Sequence, residues 1–274
     1  ADNHPFTVRI RDTSRVMPNQ VSRNIIADLP GQRQAEEWIV VGGHYDGHDI
    51  AQGAMDNLSA IAVIMEVAKH LQKLKNRFRR NIRFIAFGCE ELGVTGSTRY
   101  VEQHSDQLKH IALMINLELG GLAYAKGTQH VAFTIHQPSQ LMTSLQRFSH
   151  DIRYPLHLEE KITTASDHWP FYLRGIPTIS MHAEPSIERQ IVGRGWGHTT
   201  ADTMDKVDHR NLQEGAMVLA RLLIRLANDK QARGEHTPIP DVEQRLTTSG
   251  MKPILQMQRH WRLHYSCHPI KRFK

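Results

Sequence analysis

Cysteine is nearly absent. The 274-residue chain has two, Cys89 and Cys267, and no Cys-x-x-Cys pair. Two thiols build neither a disulfide framework nor a thiolate metal site. Cys89 lies in an apolar run and reads as a small core residue, with pairing to Cys267 left open. No apolar run approaches the length of a bilayer crossing, and residues 1–10 do not form a signal-peptide hydrophobic region, so no membrane segment is expected. A Gly-x-Ser-x-Gly elbow is missing, which removes the common serine-hydrolase reading. The chain begins at Ala1 rather than Met. A removed upstream segment and a secreted or periplasmic location are the expectation.

Acidic residues are missing from the last stretch. Residues 251–274 carry Lys252, Arg259, Arg262, Lys271, Arg272 and Lys274 with no Asp or Glu, and they account for the whole net charge of +6. A basic tail of this kind suits a solvated or partner-seeking extension better than a nucleic-acid surface, and no nucleic-acid partner is expected.

The rest has the length and composition of one large α/β domain. Ile25–Gly31 reads as a short strand stopped by a Pro-Gly turn. Trp38–Gly43 and Ile82–Phe87 are continuous apolar runs of the kind buried on both faces of a sheet. Ile111–Leu117 is a third, which pattern alone leaves open to a helix. Pro177–Met181 fits a last strand. Ile61, Ile64, Met65, Ala68 and Leu71 recur at helical spacing, with Asn57 or Ser59 available to cap. Leu212, Ala216, Leu219, Ala220, Leu223, Ile224 and Ala227 give the clearest amphipathic stripe. Strands alternating with helices predict a three-layer α/β/α sandwich around a mostly parallel, mixed sheet. A catalytic domain over 1–230 and a basic, at best partly ordered extension over 231–274 complete the outline.

Ligands gather at the carboxyl ends of strands in such sheets. His44 follows the Trp38 run, Glu90 and Glu91 follow the Ile82 run, and Glu118 ends the Ile111 run. Three strand ends therefore deliver metal-type side chains to one edge, joined by Asp56 and His198. A thiolate-free set of histidine and carboxylate suits a catalytic zinc that keeps a position open.

The ordered motifs Gly43-His44-Tyr45-Asp46, Gly53-Ala54-Met55-Asp56-Asn57, Glu90-Glu91-Leu92-Gly93, Asn116-Leu117-Glu118, Ser166-Asp167-His168-Trp169-Pro170-Phe171 and Gly197-His198-Thr199 resemble the M28 metallopeptidases. That family includes zinc aminopeptidases, carboxypeptidase Q-like dipeptidases and glutaminyl cyclases. The resemblance spans residues 24–228 and implies the phosphorylase/hydrolase-like zinc exopeptidase fold. It implies that Asp56 bridges two zinc ions, with His44 and Glu118 completing one and Glu91 and His198 the other. Glu90 would be the general base, and Asp46 would accept the second ring N–H of His44. Asp167 would line the substrate site, while His168 would be structural. The family usually has Asp where this chain has Glu118. The added methylene displaces the oxygens by about an ångström, which a backbone shift, a weaker second zinc or a single-zinc site would accommodate.

The implied activity is removal of an N-terminal residue from peptides or dipeptides. Glutaminyl cyclisation and a metal-free receptor-like domain are the alternatives. Trp169, Phe171 and Trp196 are candidates for an apolar specificity pocket, though each also fits a core position. Residues 181–197 form a candidate rim loop. His48, His104, His110, His130, His136 and His150 fit no motif and are assigned to surface or core packing.

Overall fold

Apolar β-branched runs build the centre of the molecule. The computed structural model describes residues 7–13, 15, 17, 20–32, 34–118, 131–137, 140–183, 196–229, 234–258 and 260. Strands β1 (Ile25–Leu29), β2 (Gln34–His44), β3 (Arg80–Phe87), β4 (Ile111–Leu117), β5 (Val131–Ile135), β6 (His157–Glu160) and β7 (Thr178–Ala183) form one sheet in the order β1-β3-β2-β4-β7-β5-β6. The pairs β2–β3, β2–β4, β4–β7 and β5–β6 are parallel, whereas β1–β3 and β5–β7 are antiparallel. The sheet is mixed with a parallel centre, as expected.

Helices cover both faces. These are α1 (Ser59–Gln72), α2 (Thr95–Gln103), α3 (Leu141–Ile152), α4 (His168–Tyr172), α5 (His209–Asn228), α6 (Ile239–Thr248) and α7 (Lys252–Met257). Side chains alternate across a strand. Ile39, Val41, Phe84 and Ile115 accordingly join Val67 of α1 and Leu222 of α5 in one core layer. Val40, Ile85 and Met114 join Tyr100 of α2 and Phe171 of α4 in the other. Every residue of β4 is buried, so no polar alternation remained to separate strand from helix in its sequence.

The turn before α1 departs from expectation. Neither Asn57 nor Ser59 caps the helix: its N-cap is Leu58, without a side-chain bond. Residues Ala54–Leu58 form a π-helical turn in which Asp56 and Asn57 have non-helical dihedrals. Asn57 Nδ2 donates instead to the Leu117 carbonyl at 3.0 Å, and Ser59 Oγ donates to the Met55 carbonyl at 2.7 Å. This irregular turn sits over the end of β4, where a regular helical start would not place Asp56.

Part of the C-terminal segment folds onto the domain. Val242 and Leu246 of α6 and Leu255 of α7 pack with Trp169, Tyr172 and Leu173 around α4. The junction needs a glycine at position 175, whose φ is +71° and whose hypothetical Cβ would lie 1.9 Å from the Thr237 carbonyl oxygen. Thr237 N donates to the Gly175 carbonyl at 2.8 Å. The question of a Cys89–Cys267 pairing lies outside the described residues, as does most of the basic tail. No helix among the described residues is long and apolar enough to cross a membrane.

Candidate metal centre

His44 ends β2 and is fully buried. Its Nδ1 donates to the main-chain carbonyl of Asp46 at 3.0 Å, while the Asp46 carboxylate stands 3.7 Å away. A carbonyl can only accept, so this bond places a proton on Nδ1 and leaves Nε2 facing the cluster. Asp46 therefore orients His44 through its backbone. Its carboxylate has another task, accepting the backbone N–H groups of Glu90 at 3.0 Å and Glu91 at 3.2 Å. The Glu90-Glu91 doublet leaves β3 with its backbone clamped from the β2 loop, and each side chain can then take its own direction.

Asp56 lies between two histidines. Its Oδ1 is 3.3 Å from His44 Nε2 and its Oδ2 is 3.3 Å from His198 Nε2. Glu91 Oε2 approaches His198 Nε2 at 3.1 Å. His198 adopts a left-handed φ of 61°, a conformation costly to residues with a Cβ and typical of functional positions. Glu90 Oε2 and Glu118 Oε1 lie 4.0 and 3.8 Å from His44 Nε2. The candidates His44, Asp56, Glu90, Glu91, Glu118 and His198 therefore come together from segments far apart in sequence.

Glu118 is held back from the centre. Its Oε2 accepts from the Ser166 hydroxyl and, at 3.4 Å, from Asn116 Nδ2. The longer side chain thus spends one oxygen on neighbours. Among the described residues the mutually close donor groups are His44–Asp56–Glu91 and His48–Glu91–His198, neither of which includes Glu118.

His48 is a residue that sequence reasoning missed. Assigned above to surface or core packing, it stands with Nε2 3.0 Å from Glu91 Oε2, its ring centroid 3.8 Å from that of His198. The loop from Gly47 to Gly53 folds back on itself and returns the side chain to the cluster. The available signal was its place in the same strand-end loop as His44 and Asp46.

The electrostatics favour a cation. Burial alone would lower the His44 pKa, but hydrogen bonding to Asp56 and Glu118 and the charges of Glu118 and Glu90 raise it well above the ordinary histidine range. Burial pushes Glu90 up to about 8, opposed by His44 and aided by Glu118, Asp167 and Glu91. Burial likewise takes Asp167 up to about 7, with His44 and the Ser97 hydroxyl pulling the other way. Carboxylates outnumber the positive charge available to them. The donor set fits zinc as well: a tetrahedral ion with bonds near 2.0–2.1 Å spaces its ligand atoms by roughly 3.3 Å, and the His–carboxylate separations here run from 3.0 to 3.3 Å.

Asp167 is the N-cap of α4 without a side-chain cap bond; it is buried, and the charges of His44, Glu118 and Asp46 act on its carboxylate. Trp169 and Phe171 are core residues, packed in separate clusters, whereas Trp196 is exposed with Lys206 Nζ 5.4 Å above its ring. Most of the expected rim loop, residues 184–195, lies outside the described residues.

Beneath the site His168 stacks on His136, ring centroids 3.9 Å apart. Both are buried and neutral: burial takes His168 down to about 4 and His136 well below the ordinary value. The unfolded chain binds these protons near pH 6.5 while the fold refuses them, so the stability these two histidines contribute is intact above pH 6.5 and is lost as pH drops towards 4. His168 alone accounts for about 3 kcal/mol over that window. Glu90 and Asp167, raised by burial, act in the opposite sense over that range, so the test is a difference: from pH 7 to 4 the urea midpoint of wild type should lose more, or gain less, than that of His168→Phe. Equal changes in the two proteins would reject this assignment.

Residues 24–223 match the family model described as Peptidase family M28. Aminopeptidase YwaD of Bacillus subtilis is 29% identical over 223 residues, covering 80% of this chain and 48% of the relative. Carboxypeptidase Q of Bos taurus is 28% identical over 115 residues, 42% of this chain and 24% of the relative. Among solved structures, the Bacillus subtilis zinc aminopeptidase BSAP superposes with a TM-score of 0.67 at 29% identity, covering 81% of this chain and 54% of that one. A glutaminyl cyclase of an Acidobacteriales bacterium superposes with a TM-score of 0.57 at 21% identity, over 75% of this chain and 73% of that one, a likeness of fold. The chain spans about half the length of the aminopeptidase relatives it matches, and less of carboxypeptidase Q.

Proposed function

Because the chain belongs to peptidase family M28, we propose that it is a zinc-dependent aminopeptidase that hydrolyses the N-terminal peptide bond of peptides or dipeptides. The observation that carries this is Asp56 set between His44 and His198, one oxygen 3.3 Å from each. Asp56 would hold zinc together with His44 and His198, with Glu91 beside His198 and Glu118 beside His44 as the further residues that would bind it. When bound, zinc supplies a Lewis acid that polarises a carbonyl and acidifies water.

The chain's own groups do the rest. Glu90 is the general base, taking a proton from the attacking water and passing it to the leaving amine. Asp46 holds the backbone of Glu90 and, through its carbonyl, fixes the His44 ring. Asp167, buried and influenced by the charges of His44, Glu118 and Asp46, is the carboxylate we assign to the substrate's free amine. A peptide's terminal ammonium suits a site with surplus carboxylate.

Hydrolysis of aminoacyl-anilides tests the reading. Release that chelator abolishes and zinc restores is the expected result. A zinc-loaded protein that releases nothing from the anilides or from dipeptides counts against it. Glu118, tied to Ser166 and Asn116, favours one alternative: a single-zinc site performing N-terminal glutaminyl cyclisation. That reaction liberates ammonia rather than an amino acid, so one product assay separates the two.

A further inference from the structure

His48 is not needed for the ligand set just described, yet the loop after β2 brings it there. Its Nε2 lies 3.0 Å from Glu91 Oε2, and His198 Nε2 approaches that same oxygen at 3.1 Å. His198 Nε2 is in turn 3.3 Å from Asp56 Oδ2. Two imidazole nitrogens thus meet one oxygen of Glu91, the three residues forming one mutually close donor group, at His–carboxylate separations close to the roughly 3.3 Å edge of a tetrahedral zinc. The tilted contact between the two rings, 52° between planes, lets both nitrogens aim at that oxygen without stacking face to face.

We propose that His48 is a fourth protein ligand of the ion held by Glu91, His198 and Asp56, which makes the two metal positions of this chain unequal. The position at His48 has a complete nitrogen–oxygen set from the protein, as tight sites do. The position at His44 has Asp56 and a Glu118 whose second oxygen is committed to Ser166 and Asn116. It therefore binds more weakly and keeps the open coordination that catalysis needs. The solvated-surface reading of His48 fails on its 3.0 Å approach to Glu91, since a half-exposed imidazole has water available in other directions. The remaining rival is that His48 only hydrogen-bonds Glu91 and orients it.

The inference rests on the metal-centre reading, and zinc titration followed by calorimetry separates the two. Wild-type protein is expected to take up zinc in two unequal steps. His48→Ala should weaken the tighter step about 10–100-fold and leave the weaker step in place. His48→Gln, which can still hydrogen-bond Glu91 but supplies no imidazole, should behave like His48→Ala. Cobalt in place of zinc gives a second readout, a changed visible absorption of the tighter site in both variants. Thermal melts of the metal-free proteins establish that all three are equally folded. Titration of His48→Ala like wild type, or recovery of wild-type affinity by His48→Gln, overturns the proposal while leaving the metal centre standing. Wild-type protein that binds no zinc overturns both.

Discussion

Glu90→Gln is expected to lower kcat by about 10²–10⁴-fold while changing KM and zinc content little. The substitution keeps the size of the side chain and the backbone hydrogen bond to Asp46, and removes only the ability to accept a proton. Glu90 Oε2 sits 4.0 Å from His44 Nε2 with its side chain 12% exposed, close to the cluster and largely shielded from water. Burial and the neighbouring carboxylates take its pKa up to about 8, so the group holds a proton below that value and releases it above. A bound dication opposes that shift and brings the carboxylate into its basic form nearer neutrality. The general-base role predicts an acidic limb in kcat against pH that Glu90→Gln removes. Activity within threefold of wild type, at equal zinc content, would sink the assignment.

Asp202→Ala should act on both stability and metal affinity, although the residue touches neither substrate nor ion. Buried Asp202 accepts from Met55 N at 2.7 Å and from Asp56 N at 3.0 Å, so it holds the turn that carries the central carboxylate. Alanine leaves two buried N–H groups without an acceptor, at about 1–3 kcal/mol each, for a loss of about 2–6 kcal/mol. Zinc affinity should fall about 10–100-fold, the usual consequence of losing a group that orients a ligand. Urea unfolding and zinc titration measure the two effects separately. Asp202→Asn, keeping one acceptor oxygen, should fall between. Wild-type values in both experiments would mean that the π-helical turn holds itself.

The legible parts of this protein were those where one physical pressure dominates. The runs at Trp38–Gly43 and Ile82–Phe87 are largely buried, only Arg83 in the second being charged, and they are strands as expected. β6 was invisible because His157–Glu160 is a polar edge strand whose membership depends on pairing with β5. The α2 helix was missed for a related reason: Thr95–Gln103 buries only Ser97, Tyr100 and Val101, too few apolar positions to show a period. At the site, the ligand types and their strand-end positions could be read directly. The supporting bonds could not. Asp202 lies within reach of Asp56 only after the sheet has formed, and the Asp46 carbonyl competes with its own carboxylate for His44 at distances that no spacing encodes. His48 was set aside because one more histidine among 18 carries little information until the loop folds back.

The Asp202 clamp also sets an order of events in time. The hydrogen bond from Asp56 N spans 146 residues. At a synthesis rate of about 5–20 residues per second, roughly 7 to 30 seconds separate the appearance of the turn from that of its anchor. Throughout that interval the nascent chain carries His44 and Asp56, joined partway by both glutamates of the doublet, without the carboxylate that fixes the turn. The finished centre is therefore a late product of translation: the residues of all seven strands, the last ending at Ala183, are made before Asp202 arrives to complete the site.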